Sequence, residues 1–155
     1  MQIEFLNTEI KDTESKISYQ ASKNESVKIL MSMTGIDHFS AMLIASEIGD
    51  ITRFSTPEKL VSWSGLCPSI HQSGNSLYMG RMKDGNKKVR WILIQAANTA
   101  ARKDDRLRKF YLRIAKRHGH HIAITHANKM LTIIWHMLVN TKLYNERKQN
   151  LYEKA

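Results

Sequence analysis

Apolar residues recur at helical spacing over most of this chain, and the places where the spacing fails divide it. Ile3, Leu6, Ile10 and Ile17, with Glu and Lys between them, form a thin seam of coiled-coil type over the first 22 residues. The seam carries too little apolar area to stand as a helix alone, so it asks for a partner chain or an upstream domain. Asn24 to Ser26 read as a polar break, after which Val27, Leu30 and Met31 open a second short helix that stops at Thr34-Gly35. Gly35 and Ile36, then Phe39, Met42, Leu43 and Ile44, closing at Ile48-Gly49, predict helix, tight turn, helix. Ser55 or Thr56 as N-cap, Pro57 at the first helical position and Glu58 in the first turn announce a helix from Pro57 to Ser64, ended by Gly65.

From Leu66 to Asn86 no period holds. Glycines, a proline and several Ser or Asn make this stretch a long loop or a loose hairpin, and such a stretch inside a compact domain is usually functional or disordered. Three helical stripes follow it: Val89, Ile92, Leu93, Ala96 and Ala100; then Leu107, Phe110, Tyr111 and Ile114 after the acids Asp104 and Asp105; then Ala127, Met130, Leu131, Ile134 and Leu138. No βαβ pattern or internal repeat occurs. The pattern predicts an all-α protein with a helix-hairpin-helix-like segment, a long Gly/Ser-rich loop and an N-terminal connector helix. It divides into a connector over residues 1–29, a main domain over 30–144 and a polar tail over 145–155.

Composition adds two constraints. A chain of 155 residues with one cysteine, Cys67, has material for a self-supporting core and none for an internal disulfide or a multi-thiolate zinc site, which suits a reducing compartment. No run approaches the roughly 18 apolar residues of a membrane span, and the first residues carry acids where a signal peptide has bases, so a cytoplasmic, nucleoid-associated protein without membrane contact is expected. The net charge is +10, unevenly placed: 4 basic against 8 acidic groups over residues 1–50, 15 against 4 over 51–120, and 5 against 2 over 121–155. A central field of that sign concentrates polyanions, which puts DNA first among partners.

Several groups invite a chemical reading. His118, His120, His121 and His126 match no standard zinc spacing and lack neighbouring acids, so no metal is assigned to them. Glu47 and Asp50 could hold magnesium as a nuclease pair, but a pair of acids at a helix end is more often capping or solvated. Met31, Met42, Met130 and Met137 read as core filler. In the glycine-rich segment, Ser73-Gly74 is followed by Arg81, Lys83, Gly85, Asn86, Lys87, Lys88 and Arg90. A serine hydroxyl needs a base or surrounding cations to attack a phosphodiester, and these cations supply the second condition. The turn at Gly35 could bind phosphate through backbone amides at a helix N-terminus. Asp37, however, stands where such a hairpin has its second glycine, and a carboxylate there repels phosphate.

The ordered string MTGIDHFSAMLIASEIGDITRF, STPEKLVSWSGLCP, QSG and MGRMKDGNKKVRWILIQAA resembles the C-terminal transposase domain of the insertion sequences 110, 116 and 902, DEDD transposases related to the Piv and MooV DNA invertases. The resemblance runs from about Leu30 to Tyr144, through a Gly-Leu-x-Pro at Gly65, Leu66 and Pro68, the Ser-Gly at Ser73 and Gly74, and a Gly-Arg plus Gly-Asn-Lys stretch at Gly80, Arg81, Gly85, Asn86 and Lys87. It implies that Ser73 is a nucleophile forming a phosphoserine link to DNA, that Gly74 shapes its turn, and that Gly35, Arg81, Lys83, Lys87, Lys88 and Arg90 contact DNA. It also implies an N-terminal RNase H-like domain with four acids and magnesium. No alternating strands precede residue 30, so this chain is expected to be a fragment or truncated product, to hold no cofactor itself, and to be unable to complete strand exchange alone. DNA, a guide RNA such as the family uses, and a second copy joined through the N-terminal helix are the implied partners. The rival readings are a non-catalytic helix-hairpin-helix DNA-binding module, in which Ser73 is an ordinary turn residue, and a helical interaction protein dimerising through residues 3–17.

Overall fold

The computed structural model describes residues 1–73, 76–82, 84–116 and 122–144, with residues 68–73 and 76–82 described through their backbone. Among the described residues seven helices run in the order α1 (Gln2–Lys23), α2 (Glu25–Met31), α3 (His38–Ile48), α4 (Pro57–Ser64), α5 (Lys87–Lys103), α6 (Asp105–Ala115) and α7 (Ile122–Val139), with a turn of 3₁₀ helix at Ile51–Arg53. The helical fold agrees with the apolar spacing. Between α4 and α5, the stretch without a period forms an antiparallel pair, β1 (Pro68–Ser73) and β2 (Ser76–Met82). Of the two readings, long loop or loose hairpin, the backbone takes the hairpin, and its ladder comes from backbone pairing that no side-chain period announces.

α7 lies at the centre and packs on α5, α4, α6 and α2. It buries Ala127, Met130, Leu131, Ile133, Ile134 and Met137 in the core it shares with the buried stripe of α5, which comprises Val89, Ile92, Leu93, Ala96, Ala97 and Ala100. The alanines on α5 let helices approach closely, and the larger side chains of α7 fill the space between them. Short polar residues set the helix ends. Asn24 caps α2 by accepting from the Val27 amide, so the polar break expected over residues 24–26 contracts to one residue that ends α1 and starts α2. Asp104 does the same between α5 and α6, accepting from the amides of Arg106 and Leu107. α4 begins at Pro57 and ends at Gly65, which takes the left-handed conformation at φ 74°, as the sequence predicts.

α1 departs from this economy. Ala21 is its one buried residue, and Ile3, Phe5, Leu6 and Ile10 are exposed. No helix among the described residues is long and apolar enough to cross a membrane.

Two glycines join the ends of the hairpin. A Cβ on Gly85 would collide with the backbone nitrogen of Gly65, with its Cα at 2.6 Å and with the Ser64 carbonyl carbon at 2.7 Å. The strand leading in and the strand leading out thus cross backbone to backbone, which only glycine permits. The crossing is tied into the core. Leu66 is fully buried, its amide donates to the Val61 carbonyl at 3.3 Å, and the Asn128 side chain of α7 donates to the Leu66 carbonyl at 3.2 Å. The Asn86 amide, on the outgoing side, donates to the Trp63 carbonyl at 3.0 Å. Gly85→Ala is expected to force the strands apart and destabilise the domain by about 2 kcal/mol or more, the scale of overpacking at backbone contact. Thermal or urea unfolding checks this, and a variant as stable as the parent would mean that the strands do not cross so closely.

His126 of α7 is a large polar side chain inside the core. It is fully buried, neither ring nitrogen has a hydrogen-bond partner among the described residues, and Phe110 and Tyr111 of α6 each place a ring centroid 5.9 Å from its own. Burial holds its pKa below the ordinary histidine value, opposed by the charge of Asp104. The folded protein then binds the proton less well than the unfolded chain does. Stability is fully present above the unfolded histidine pKa of about 6.5 and declines as the pH falls below it. Melting temperatures measured from pH 7.5 to 5.5 should fall with pH, and His126→Phe should flatten that slope; an unchanged slope would assign it to other groups.

Candidate functional site

The site grows from the hairpin base. Asn86 performs three tasks there: its amide donates to Trp63, its side-chain oxygen accepts from the Val89 amide and so caps α5, and its side-chain nitrogen donates to Glu47 Oε2 at 2.7 Å. The other carboxylate oxygen of Glu47 accepts from Lys88 Nζ at 3.1 Å. The Asn86 hydrogen bond and then Lys88 hold the Glu47 carboxyl below the usual carboxylate range. Arg53 closes the group. Its guanidinium donates to the Glu47 carbonyl at 3.1 Å and lies over the rings of Phe54 and Trp63, at 4.6 and 5.1 Å from their centroids. The end of α3, the 3₁₀ turn, the end of α4 and the start of α5 are thereby fastened at one place, and the hairpin leaves from it.

On the hairpin, Ser73 is the last residue of β1 and pairs with Ser76, the first of β2. The two serines form the ladder pair next to the 74–75 connection. Near the base the register shifts: Pro68 pairs with Met82 and Ile70 with Met79, so Gly80 and Arg81 together stand opposite Ser69. That is a β-bulge, with a glycine where the backbone must bend. Gly74 and Lys83 lie outside the described residues, as do His118, His120 and His121.

The candidate residues are not all brought together. Lys87, Lys88 and Arg90 occupy the first turn of α5, at the hairpin base. Further basic residues gather at the other end of α5 and on α6. Arg102 and Lys103 end α5, and Arg106, Arg108, Lys109, Arg113 and Lys116 follow on or just after α6. Along α5 the positive charge of the central segment therefore falls into two patches, with Arg90 and Arg102 twelve residues apart, about 18 Å at 1.5 Å per residue. Gly35 also stands away from the hairpin base. With φ 95°, it packs against α5 so closely that a Cβ would collide with the Ala96 carbonyl oxygen and lie 3.2 Å from the Ala100 nitrogen. Beyond it, Asp37 caps α3 and accepts from the Ser40 amide at 2.8 Å, and the Ser40 side chain holds the Asp37 carboxyl below its ordinary pKa. An anion approaching this helix end meets a carboxylate already in place.

Among the described residues a divalent cation finds no fitting donor set: no group of three or more His, Cys, Asp or Glu converges there, and both oxygens of Glu47 are engaged. Asp50, its neighbour in the magnesium reading, caps the 3₁₀ turn by accepting from Thr52. What the site offers is a hairpin clamped through its backbone, with Ser73 as a ladder residue at its outer end and Lys87, Lys88 and Arg90 at its root. Sequence reasoning missed Glu47 as an anchor, Arg53 and Asn128. Asn86 was legible as a motif residue, and its N-cap spacing to Val89 was the signal for its structural task.

Comparison with known proteins gives this arrangement a family. Over 149 residues the chain is 27% identical to a probable family 20 transposase of Pseudomonas aeruginosa, covering 92% of this chain and 44% of that protein. Over 137 residues it is 26% identical to the transposase for insertion sequence element IS1328 of Yersinia enterocolitica, covering 84% and 41%. It is 25% identical over 145 residues to an uncharacterised 44.8 kDa protein of insertion element IS116 from Streptomyces clavuligerus, covering 90% and 36%. The chain therefore spans less than half the length of these relatives. The model of the IS116/IS110/IS902 transposase family matches residues 27–112, from the first turn of α2 through the hairpin and α5 into α6, and the chain belongs to that family.

Proposed function

We propose that this chain is the DNA-handling, C-terminal part of an IS116/IS110/IS902-type transposase and that Ser73 is its nucleophile. The observation that supports this reading is Ser73 at the end of a hairpin whose root is fixed by the Gly65–Gly85 crossing beside Lys87, Lys88 and Arg90. In the proposed step the Ser73 hydroxyl gives its proton to solvent and its oxygen bonds to a DNA phosphorus. The phosphorus–oxygen bond to one deoxyribose breaks, and that sugar oxygen takes up a proton and leaves as a hydroxyl. The phosphoserine link keeps the energy of the broken bond, so attack by a new strand's hydroxyl rejoins DNA and restores serine. Arg81, Lys83, Lys87 and Arg90 are proposed to neutralise the phosphate as charge builds on it. Lys88 shares its charge with Glu47 and counts for less. Magnesium, where the reaction requires it, is proposed to be held outside this chain, and a guide RNA is proposed as a further partner. The reading as a non-catalytic helix-hairpin-helix module draws less support, since Gly35 faces α5 and Asp37 occupies the helix end.

The test has two arms. Binding to duplex DNA is expected to weaken on the order of a thousandfold between 50 and 200 mM salt if about six phosphates are contacted; a slope near zero removes nucleic acid as the partner. For the chemistry, the chain is mixed with the part of a longer relative that it does not cover, magnesium, guide RNA and a DNA junction substrate. Protein–DNA adducts are then sought on denaturing gels. Ser73→Ala should abolish the adduct and leave DNA affinity nearly intact. An adduct that survives Ser73→Ala but disappears with Ser76→Ala moves the nucleophile across the ladder.

The exposed apolar seam of α1 supports a second copy of this chain as a partner. Replacing Leu6 and Ile10 by Glu should lower the mass measured by sedimentation; equal masses for parent and variant would exclude that interface.

A further inference from the structure

Between the two cationic patches, the exposed face of α5 carries no charge. Residues 91 to 101 read WILIQAANTAA, bounded by Arg90 and Arg102. The buried face of the helix takes Ile92, Leu93, Ala96, Ala97, Ala100 and Ala101, which leaves Lys87, Trp91, Gln95 and Arg102 in line along the outside at spacings of one to two turns. Trp91 is 55% exposed. A tryptophan left open to water in the middle of a helix, where any polar residue would do for folding, has an indole face available to a flat partner. Gln95, one turn further on, is exposed as well and offers both an amide donor and an acceptor.

We propose that this strip is a subsite for unpaired nucleotides, in which a nucleobase stacks on Trp91, Gln95 hydrogen-bonds a base edge, and the flanking phosphates rest on Lys87 at one end and on Arg102 at the other. The inference rests on the proposed function and deepens it by naming the state of the nucleic acid held next to the hairpin. Charge complementarity identifies the occupant. A polyanion is held at both ends of the strip, while the neutral, aromatic middle would gain nothing from phosphate and fits bases. Bases in a duplex hide their faces in the stack, so an indole platform selects nucleotides that have left it. Trp91 lies five residues beyond Asn86, about 7.5 Å along the helix from the hairpin root. Ser73 stands at the outer end of β1, away from that root, so the occupant is the unpaired DNA strand that leads from the break back towards α5.

The experiment is an anisotropy titration of the full chain with labelled single-stranded DNA, single-stranded RNA and duplex DNA of equal length and mixed sequence. Trp91→Ala should weaken single-strand binding about tenfold and duplex binding by less than about twofold, with the salt slope unchanged because no charge is lost. Trp91→Phe should recover most of the single-strand affinity. Lys87→Ala should weaken all three ligands and reduce the salt slope by about one. Trp91-dependent binding of single-stranded DNA supports the proposal, and Trp91-dependent binding of single-stranded RNA alone overturns the broken DNA strand as the occupant. Equal effects of Trp91→Ala on single strands and duplex, or none on either, overturn the proposal while salt-dependent binding by the parent leaves the proposed function standing. Absence of salt-dependent binding by the parent overturns both. A loss of sedimenting mass in Trp91→Ala with unchanged oligonucleotide binding would make the strip a protein interface and also overturn it.

Discussion

Everything distinctive about this domain depends on one backbone contact, the crossing of Gly65 and Gly85. Two polypeptide segments approach there more closely than any side chain would allow, and the approach converts the ends of a twenty-residue excursion into a single rigid root. A two-stranded hairpin is marginally stable by itself in water. Here the helical body carries that cost: Leu66 is buried beneath the crossing, Asn128 holds its carbonyl, and Asn86 fastens the outgoing strand to α4, α3 and the start of α5 at once. The direction in which the hairpin leaves the body is thereby set by core packing.

Electrostatics follows from the same geometry. Because the hairpin returns directly into α5, the lysines that follow Asn86 in sequence stand at the root, and Arg102 and Lys103 stand at the far end of that helix. Glu47 then takes Lys88 partly out of the field and leaves Lys87 facing solvent. The charge that looks like one basic block in the sequence becomes two positive ends with a neutral helix face between them. Such a division favours a ligand whose charges are spaced along it, as in a nucleic acid strand, over a compact anion.

Much of this was legible beforehand, and the exceptions have physical reasons. The apolar stripes of α5, α6 and α7 located those helices because burial on one face imposes the 3.6-residue period, and Pro57 and Gly65 marked both ends of α4 because proline and glycine restrict or free the backbone locally. The hairpin could be read only as a loop or loose hairpin, since a two-stranded ladder outside the core imposes no alternation on its side chains. The tasks of Gly35 and Gly85 were out of reach for a different reason. Both were visible as motif residues, but their partners, Ala96 and Ala100 for one and Gly65 for the other, are distant in sequence. The Glu47 anchor was hidden for the same reason, lying 39 residues from Asn86. Trp91 carried a signal in the sequence, a large aromatic off the buried stripe, which gains meaning only once the neighbouring charges are placed at the two ends of its helix.

The central claim is that the hairpin root belongs to the core. Native-state hydrogen exchange at single-residue resolution measures it most directly, because the Asn86 amide donates to Trp63 across the root and the Leu66 amide donates to Val61 at the end of α4, where the incoming segment begins. If the root is clamped, these two amides exchange only through the opening that exposes Leu93 and Leu131, with protection close to that of the global unfolding reaction. Protection of Leu66 and Asn86 no greater than that of exposed loop amides, in a protein whose α5 and α7 amides remain fully protected, would contradict the account.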